Sequence, residues 1–307
     1  MSEEFSKNND LSAYIDSFLK NTPLSEVCDE ELNKLELYMT QLNNRAIDLS
    51  TSKRTKAHWE TGWDQNYVKL TSRTFDYEEA VVPAYFTKQK YFRYKSKIYN
   101  LITWELLQKV HIACLNFVAK KALQFYKHEF IIEVGSGSGQ NVLELSKLFP
   151  KSIIIGADWS DSSRKITDHL GEIFTAEGRD KSFKVKSEFF DFFHPETLDV
   201  KNKVLYTIHS LEQVGKDLTF LNYLLTSEVG LVVSIEPILE HYSIESALGR
   251  ELIELHILKE YLVGYPSWLK ENASLGLLEI LYEARIDFGT LTAEPYSVFI
   301  WRPISIV

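Results

Sequence analysis

Residues Phe130–Asn141 read FIIEVGSGSGQN, and the amphipathic run VLELSKLF follows directly. Apolar Phe130, Ile131, Ile132 and Val134 predict a strand. Gly135, Gly137 and Gly139 then fall at every second position, and the chain turns helical after them. Glycine has no Cβ and tolerates positive φ, so such a turn lets backbone approach a ligand closely and aims free N–H groups at it. Strand, glycine turn and helix N-terminus together mark a ligand site.

Beyond this stretch the pattern alternates between strand and helix. Ser152–Asp158, SIIIGAD, has the apolar character of a buried parallel strand and ends in an acid. A helix over Ser160–Phe174, strands over Phe183–Phe190 and Lys203–Ile208, a helix over Leu211–Leu225 and a strand over Gly230–Ile235 follow. Helices are expected over Ile244–Leu262 and Trp268–Tyr282, then strands over Arg285–Leu291 and Tyr296–Arg302. This rhythm with short connections predicts an α/β fold, a parallel sheet with helices on both faces.

Upstream, Asp10–Asn44 carries apolar residues at helical spacing, interrupted by Pro23, which predicts two helices and a turn. Lys56–Asn100 is dense in aromatics, among them His58, Trp59, Trp63, Tyr67, Tyr85, Phe86 and Tyr91. Such rings build a recognition wall or an ordinary packing layer, and composition does not separate the two. Trp104–Phe125 reads as one amphipathic helix. The chain thus divides into an N-terminal helical, aromatic-rich extension, 1–127, expected to cap a substrate mouth, and a ligand-binding domain, 128–307. With no Gly/Ser-rich tether at Lys127, the two are expected to pack as one body.

At 307 residues and 45% hydrophobic, the chain can bury a large core. Lys and Arg number 34 against 43 Asp and Glu, a formal charge of −9. With no long basic run, a nucleic-acid partner held by phosphate contacts is not expected. No apolar run approaches the ~18 residues that would span a bilayer, and MSEEFSKNND has no signal-peptide pattern, so neither membrane nor secretion is expected and the location reads as cytoplasmic. Cys28 and Cys114 form neither a CxxC pair nor a disulfide framework, and no His, Asp or Glu spacing suggests a closed metal site.

A third dinucleotide-type glycine would fall at position 140, which is Gln140. The spacing is instead Glu133-x-Gly135-x-Gly137-x-Gly139, an acid two residues before an alternating glycine turn. This resembles motif I of the class I S-adenosylmethionine (SAM)-dependent methyltransferases. The resemblance covers Phe130–Arg302 and implies a Rossmann-like sheet of seven strands whose last pair is an antiparallel hairpin. It implies SAM as cofactor, held by Glu133, Gly135, Ser136, Gly137 and Gly139, with Glu133 near the methionine amino group. Asp158, with Trp159 beside it, takes the ribose-binding position, where a carboxylate accepts from both hydroxyls. Asp191 and Phe190 fall where the family contacts the adenine, and His209 where its loop lies against the methyl group.

Ionisable residues end two apolar strands, Ile208-His209-Ser210-Leu211-Glu212 and Glu236-Pro237-Ile238-Leu239-Glu240-His241. That arrangement is costly unless they line a solvated site. His209 and Glu212, then Glu236, are the candidate general bases, and Glu240, His241, Trp63 and Tyr85 the candidate substrate contacts. Trp59-Glu-Thr-Gly-Trp63, Pro83-Ala-Tyr85-Phe86 and Glu294-Pro-Tyr-Ser-Val-Phe-Ile-Trp301 also resemble a group of bacterial sugar methyltransferases of surface-polysaccharide and secondary-metabolite pathways. The expected reaction is methyl transfer to a small-molecule or saccharide hydroxyl. Two alternatives stay open: methylation of arginine or another cationic nitrogen of a peptide or protein, with Glu212, Glu236 and Glu240 clamping the cation, and a SAM-binding or assembly module without turnover. A homodimer through the N-terminal helices is a further open expectation.

Overall fold

The computed structural model describes residues 10–49, 56–72, 74–178 and 184–304. In chain order these form α1 (Asp10–Leu19), β1 (Ser25–Glu26), α2 (Asp29–Leu49), α3 (Lys56–Thr71), α4 (Tyr77–Ala80), α5 (Ala84–Thr87), β2 (Tyr91–Tyr94), β3 (Lys97–Asn100) and α6 (Glu105–Ala122). Then come β4 (Phe130–Val134), α7 (Gln140–Leu148), β5 (Ile153–Asp158), α8 (Asp161–Ala176), β6 (Lys184–Phe189), β7 (Val204–Ile208), α9 (Thr219–Thr226) and β8 (Leu231–Glu236). The chain closes with α10 (Ala247–Leu258), α11 (Tyr265–Ser274), β9 (Leu278–Arg285), β10 (Phe288–Thr290) and β11 (Ser297–Pro303).

The main sheet has seven strands in the order β6-β5-β4-β7-β8-β11-β9. β4 through β8 run parallel, Ile131 pairing with Ile154 of β5 and with Val204 of β7. β11 enters antiparallel between β8 and β9, from Ser297 opposite Glu236 to Trp301 opposite Val232. The expected sheet is therefore present, but its antiparallel closing pair is β9 with β11; of the expected strand Arg285–Leu291, only Arg285 belongs to β9, and Phe288–Thr290 pairs with β2 instead. The order reverses between β4 and β7, so the crevice beyond the carboxyl ends of these two strands is the place for a ligand. α6 and α8 belong to one apolar layer with Val110, Val142 and Ile166, while α9 and α11 build the other with Phe220, Leu269 and Trp301. Burial on both faces explains why the central strands are rich in Ile, Val and Leu.

The aromatic stretch holds structure that its pattern did not disclose. Tyr91–Tyr94 and Lys97–Asn100 make a hairpin whose turn residues Lys95 and Ser96 both have positive φ, 49° and 61°. β10 pairs with β2, giving a second sheet β1-β3-β2-β10 that draws strands from both sides of Lys127.

Several boundaries are corrected. Trp268–Tyr282 is not one helix: α11 stops at Ser274, Gly276 has φ 72°, and Leu278 begins β9. Leu277, Leu278, Ile280 and Leu281 fit either period, and the left-handed glycine decides for the strand. Gly215 (φ 64°) likewise divides Leu211–Leu225 into a short 3-10 turn, Leu211–Val214, and α9. Ile244–Leu262 contracts to α10, whose Ser246 side chain caps the Gly249 N–H at 2.9 Å. Phe183, the expected start of β6, and the His58 side chain lie outside the described residues.

Candidate active site

Where β4 ends, the glycines turn the chain into α7. Gly135 has φ 76° and donates its N–H to the Ala157 carbonyl at 2.7 Å, while a Cβ there would stand 2.4 Å from Ser210 Cβ. Gly137, at φ 50°, is as constrained, because a Cβ would meet the Trp63 ring at 2.9 Å. Asp158, at the end of β5, fastens the turn from below. Its Oδ2 accepts from the Gly137 N–H at 2.9 Å and its Oδ1 from the Ser160 N–H at 2.8 Å. Burial raises its pKa, with these two backbone donors acting in the opposite direction.

A cavity of about 370 Å³ opens over this turn. Gly135, Ser136, Gly137 and Gln140 form its floor, and Ile208, His209 and Glu212 one flank. Trp59 and Trp63 of α3 and Tyr85 of α5 supply an aromatic wall, and Thr290, Pro295 and Tyr296 the side nearest the second sheet. α3 is fixed by Glu60, whose carboxylate accepts from the Ser160 hydroxyl (2.7 Å), the Asp161 N–H (2.9 Å) and both the N–H (2.8 Å) and hydroxyl (2.5 Å) of Ser162. A carboxylate there answers the free N–H groups and positive end of α8.

His209 follows β7 with φ 53°, a strained conformation for a residue other than glycine. Its N–H is tied to the Ile235 carbonyl at 3.0 Å. The ring packs edge-on against His111 and Tyr296, at centroid distances of 5.2 and 5.3 Å, and the Pro295 carbonyl hydrogen-bonds it. Its Nε2 is buried and has no protein partner. Burial, then the neighbouring His111, holds its pKa well below the usual histidine value, so the ring is neutral at pH 7. Tyr85 also lines the cavity with 44% of its surface exposed, and loss of water around its phenol, then the Glu212 and Glu133 carboxylates, raise its pKa.

Beneath the turn lies a set of buried polar groups. Glu133 is fully buried, and its Oε1 accepts from Asn141 Nδ2 at 2.6 Å while Oε2 has no partner. Burial raises its pKa well above the ordinary carboxylate value, and Asp158 adds to this against the Asn141 bond. Both amide atoms of Gln140 are likewise buried without a protein partner. Two acceptors and a donor without partners, under an aromatic wall, complement a ligand bearing an ammonium, a carboxylate and a cationic sulfur. These residues fit SAM.

The structure brings Trp63, Tyr85, Gly135, Ser136, Gly137, His209 and Glu212 to the cavity. Glu133, Asp158, Gly139 and Glu236 stand behind its lining. Glu236 is corrected as a base: its Oε1 accepts from the N–H of Ser210 (3.3 Å) and Leu211 (3.1 Å), and its Oε2 from that of Glu212 (3.3 Å). It therefore holds the loop that carries His209 and Glu212, with its own pKa pushed up to about 8 by burial and by Glu212.

Phe190 belongs to the core, 2% exposed and packed edge-on to Phe192 and Phe220 at 5.0 and 5.3 Å. Asp191 folds back to accept from the Phe193 N–H at 3.0 Å, and the Trp159 carbonyl accepts from Arg164 at 3.1 Å. Glu240 accepts from the N–H of Gly264, the residue just before α11, at 2.7 Å. His241 binds the Ser297 hydroxyl at 2.6 Å and stacks on Phe299, burial pushing its pKa down to about 3. The clamp of Glu212, Glu236 and Glu240 is thus not assembled.

Sequence reasoning missed Gln140, Asn141, His111 and Tyr296. For His111 there was a signal, an ionisable residue among Leu107, Val110 and Cys114 on the apolar stripe of α6. Tyr296 and Pro295 lie in the Glu294–Trp301 stretch that resembles the sugar methyltransferases, but their place at the cavity depends on β10 leaving for the second sheet.

No protein-family model and no curated protein matches the sequence. Solved structures do. A mitomycin 7-O-methyltransferase is 15% identical, with 65% of this chain and 58% of that one covered and a TM-score of 0.42. An O-methyltransferase of neocarzinostatin biosynthesis, in complex with S-adenosyl-L-homocysteine (SAH) and 1,4-dihydroxy-2-naphthoic acid, is 15% identical over 66% of this chain and 57% of its own, with a TM-score of 0.45. An N,N-8-amino-8-demethyl-D-riboflavin dimethyltransferase from Streptomyces davawensis is 12% identical over 66% and 57%, with a TM-score of 0.43. The chain spans under two thirds of the length of each. No helix among the described residues is long and apolar enough to cross a membrane. The solved structures it matches thus include methyltransferases at low identity, and its own seven-stranded sheet has the order β6-β5-β4-β7-β8-β11-β9 with β11 antiparallel.

Proposed function

We propose that this chain is a SAM-dependent methyltransferase acting on a hydroxyl of a small molecule or saccharide. The observation that carries the reading is His209, whose buried Nε2 has no protein partner in a cavity built over the glycine turn. Bound over the turn, SAM supplies an electrophilic methyl carbon on a sulfonium leaving group. Glu133 and Gln140 hold the amino-acid end, and Asp158 has lone pairs beyond its two backbone bonds for ribose hydroxyls. His209 Nε2 would accept the proton of an acceptor hydroxyl to which SAM supplies the methyl group. Trp63 and Tyr85 exclude water and fix the acceptor in line, so the extension 1–127 forms the substrate mouth.

The neutral ring of His209 favours oxygen over a cationic nitrogen, since the carboxylates that would clamp a guanidinium are engaged elsewhere. The reading is tested with methyl-labelled SAM and separate saccharide, small-molecule, peptide and protein fractions. Label is expected on saccharide or small-molecule oxygen. Label on arginine alone would overturn the acceptor class, and no SAH from any fraction would leave a binding module.

A further inference from the structure

His111 lies on α6, before the glycine turn in sequence, yet its side chain reaches the residues beneath that turn. Its Nε2 is 2.7 Å from Asn141 Oδ1, and the Tyr296 hydroxyl is 3.4 Å from its Nδ1. Asn141 in turn donates from Nδ2 to Glu133 Oε1 at 2.6 Å. Hydrogen-bond complementarity orders the chain. Asn141 turns its Nδ2 to Glu133 and its Oδ1 to His111. His111 then donates from Nε2, and its Nδ1 accepts from Tyr296.

His111 is 2% exposed, Tyr296 3% and Glu133 fully buried, so each of these polar groups depends on its neighbours to offset the loss of water. The far end of the chain is open: Glu133 Oε2 has no partner, and neither has the adjacent Gln140 amide. A leucine at position 111 would continue the apolar stripe of α6 but would leave the Asn141 oxygen with nothing to orient it.

We infer that His111 is a positioning residue for the cofactor's amino-acid end: through Asn141 it holds Glu133 turned so that Oε2 meets an α-ammonium group. The inference rests on the SAM reading above. It makes the extension before the turn part of the cofactor site.

The test is calorimetric binding of two probes, SAH and 5′-methylthioadenosine, which keeps the adenosine and thioether but lacks the amino-acid end. In wild type both bind. His111→Phe is expected to weaken SAH by about 10- to 100-fold, the range for losing the hydrogen bond between Glu133 and a charged ammonium, and to leave 5′-methylthioadenosine unchanged. His111→Gln, whose amide nitrogen replaces Nε2, is expected to restore SAH binding, and His111→Asn, which is too short, is not. Retained 5′-methylthioadenosine binding shows that a variant is folded. If His111→Phe does not fold, the Gln and Asn variants decide between them. Equal loss of both probes, no loss of either, or identical behaviour of Gln and Asn overturns the inference while wild-type binding stands. Failure of wild type to bind either probe overturns the cofactor reading and the inference with it.

Discussion

The Trp63 indole lies against Gly137: a Cβ on the glycine would stand 2.9 Å from Cζ2 and 3.2 Å from Cη2. The second glycine of the motif thus admits a side chain from α3 as well as bringing backbone to a ligand. Gly137→Ala meets two penalties, the left-handed φ of 50° and the indole. The backbone term alone is roughly 1–2 kcal/mol. Urea unfolding should show at least that loss, and SAH affinity should fall because Trp63 must move.

Glu60 gives a second handle on the same helix. Its carboxylate accepts four hydrogen bonds from Ser160, Asp161 and Ser162 at the start of α8. Removing a capping acceptor typically costs about 0.5–2 kcal/mol. Glu60→Ala should lower stability by that order, and hydrogen exchange should rise together in α3 and at the start of α8. Unchanged exchange in α3 would show that Glu60 does not fasten it.

Glu236 predicts a pH dependence. Its folded pKa of about 8 lies above the ordinary 4.5, so between these values the folded protein keeps a proton that the unfolded chain has released. The resulting stabilisation is full below pH 4.5 and is lost as pH rises through 8. Relative to Glu236→Gln, wild type should therefore lose stability from pH 5 to 8, by roughly 3–4 kcal/mol. Denaturant titrations of both proteins at several pH values measure it, and parallel curves would contradict the assignment.

His209 predicts an activity profile. A pKa held well below 6.5 by burial and His111 keeps the ring ready to accept a proton in mildly acidic solution. Methyl transfer should persist through pH 6.5 and fall only below it. His209→Ala should reduce turnover by roughly 10²–10⁴-fold, the usual contribution of a general base, with SAH affinity little changed. A rate that falls at pH 6.5 or above, or a variant that keeps full turnover, would remove His209 from the role.

The sheet was legible because buried parallel strands are read from composition: Ile131–Val134, Ile153–Asp158 and Leu231–Glu236 admit little else. The β2–β3 hairpin was hidden because Lys95 and Ser96 take positive φ without a glycine to announce it. In the site, the glycine turn and the residues just after β7 were visible because chain position alone sets them at the crevice. Glu236, Glu240 and His241 share the same local pattern, yet backbone N–H groups and Ser297 claim their side chains. Only tertiary structure makes that distinction. His111 shows the converse, an outlier in the apolar stripe of α6 whose partners, Asn141 and Tyr296, come from distant parts of the chain.

The central claim is that the cavity over Gly135 and Gly137 is a SAM site, and calorimetric titration of the purified chain with SAH tests it most directly. One SAH per chain with a dissociation constant of about 1–100 μM, weakened at least ~10-fold by Asp158→Ala, is the predicted result. No detectable binding at ~1 mM SAH, or the same affinity in Asp158→Ala, would contradict it.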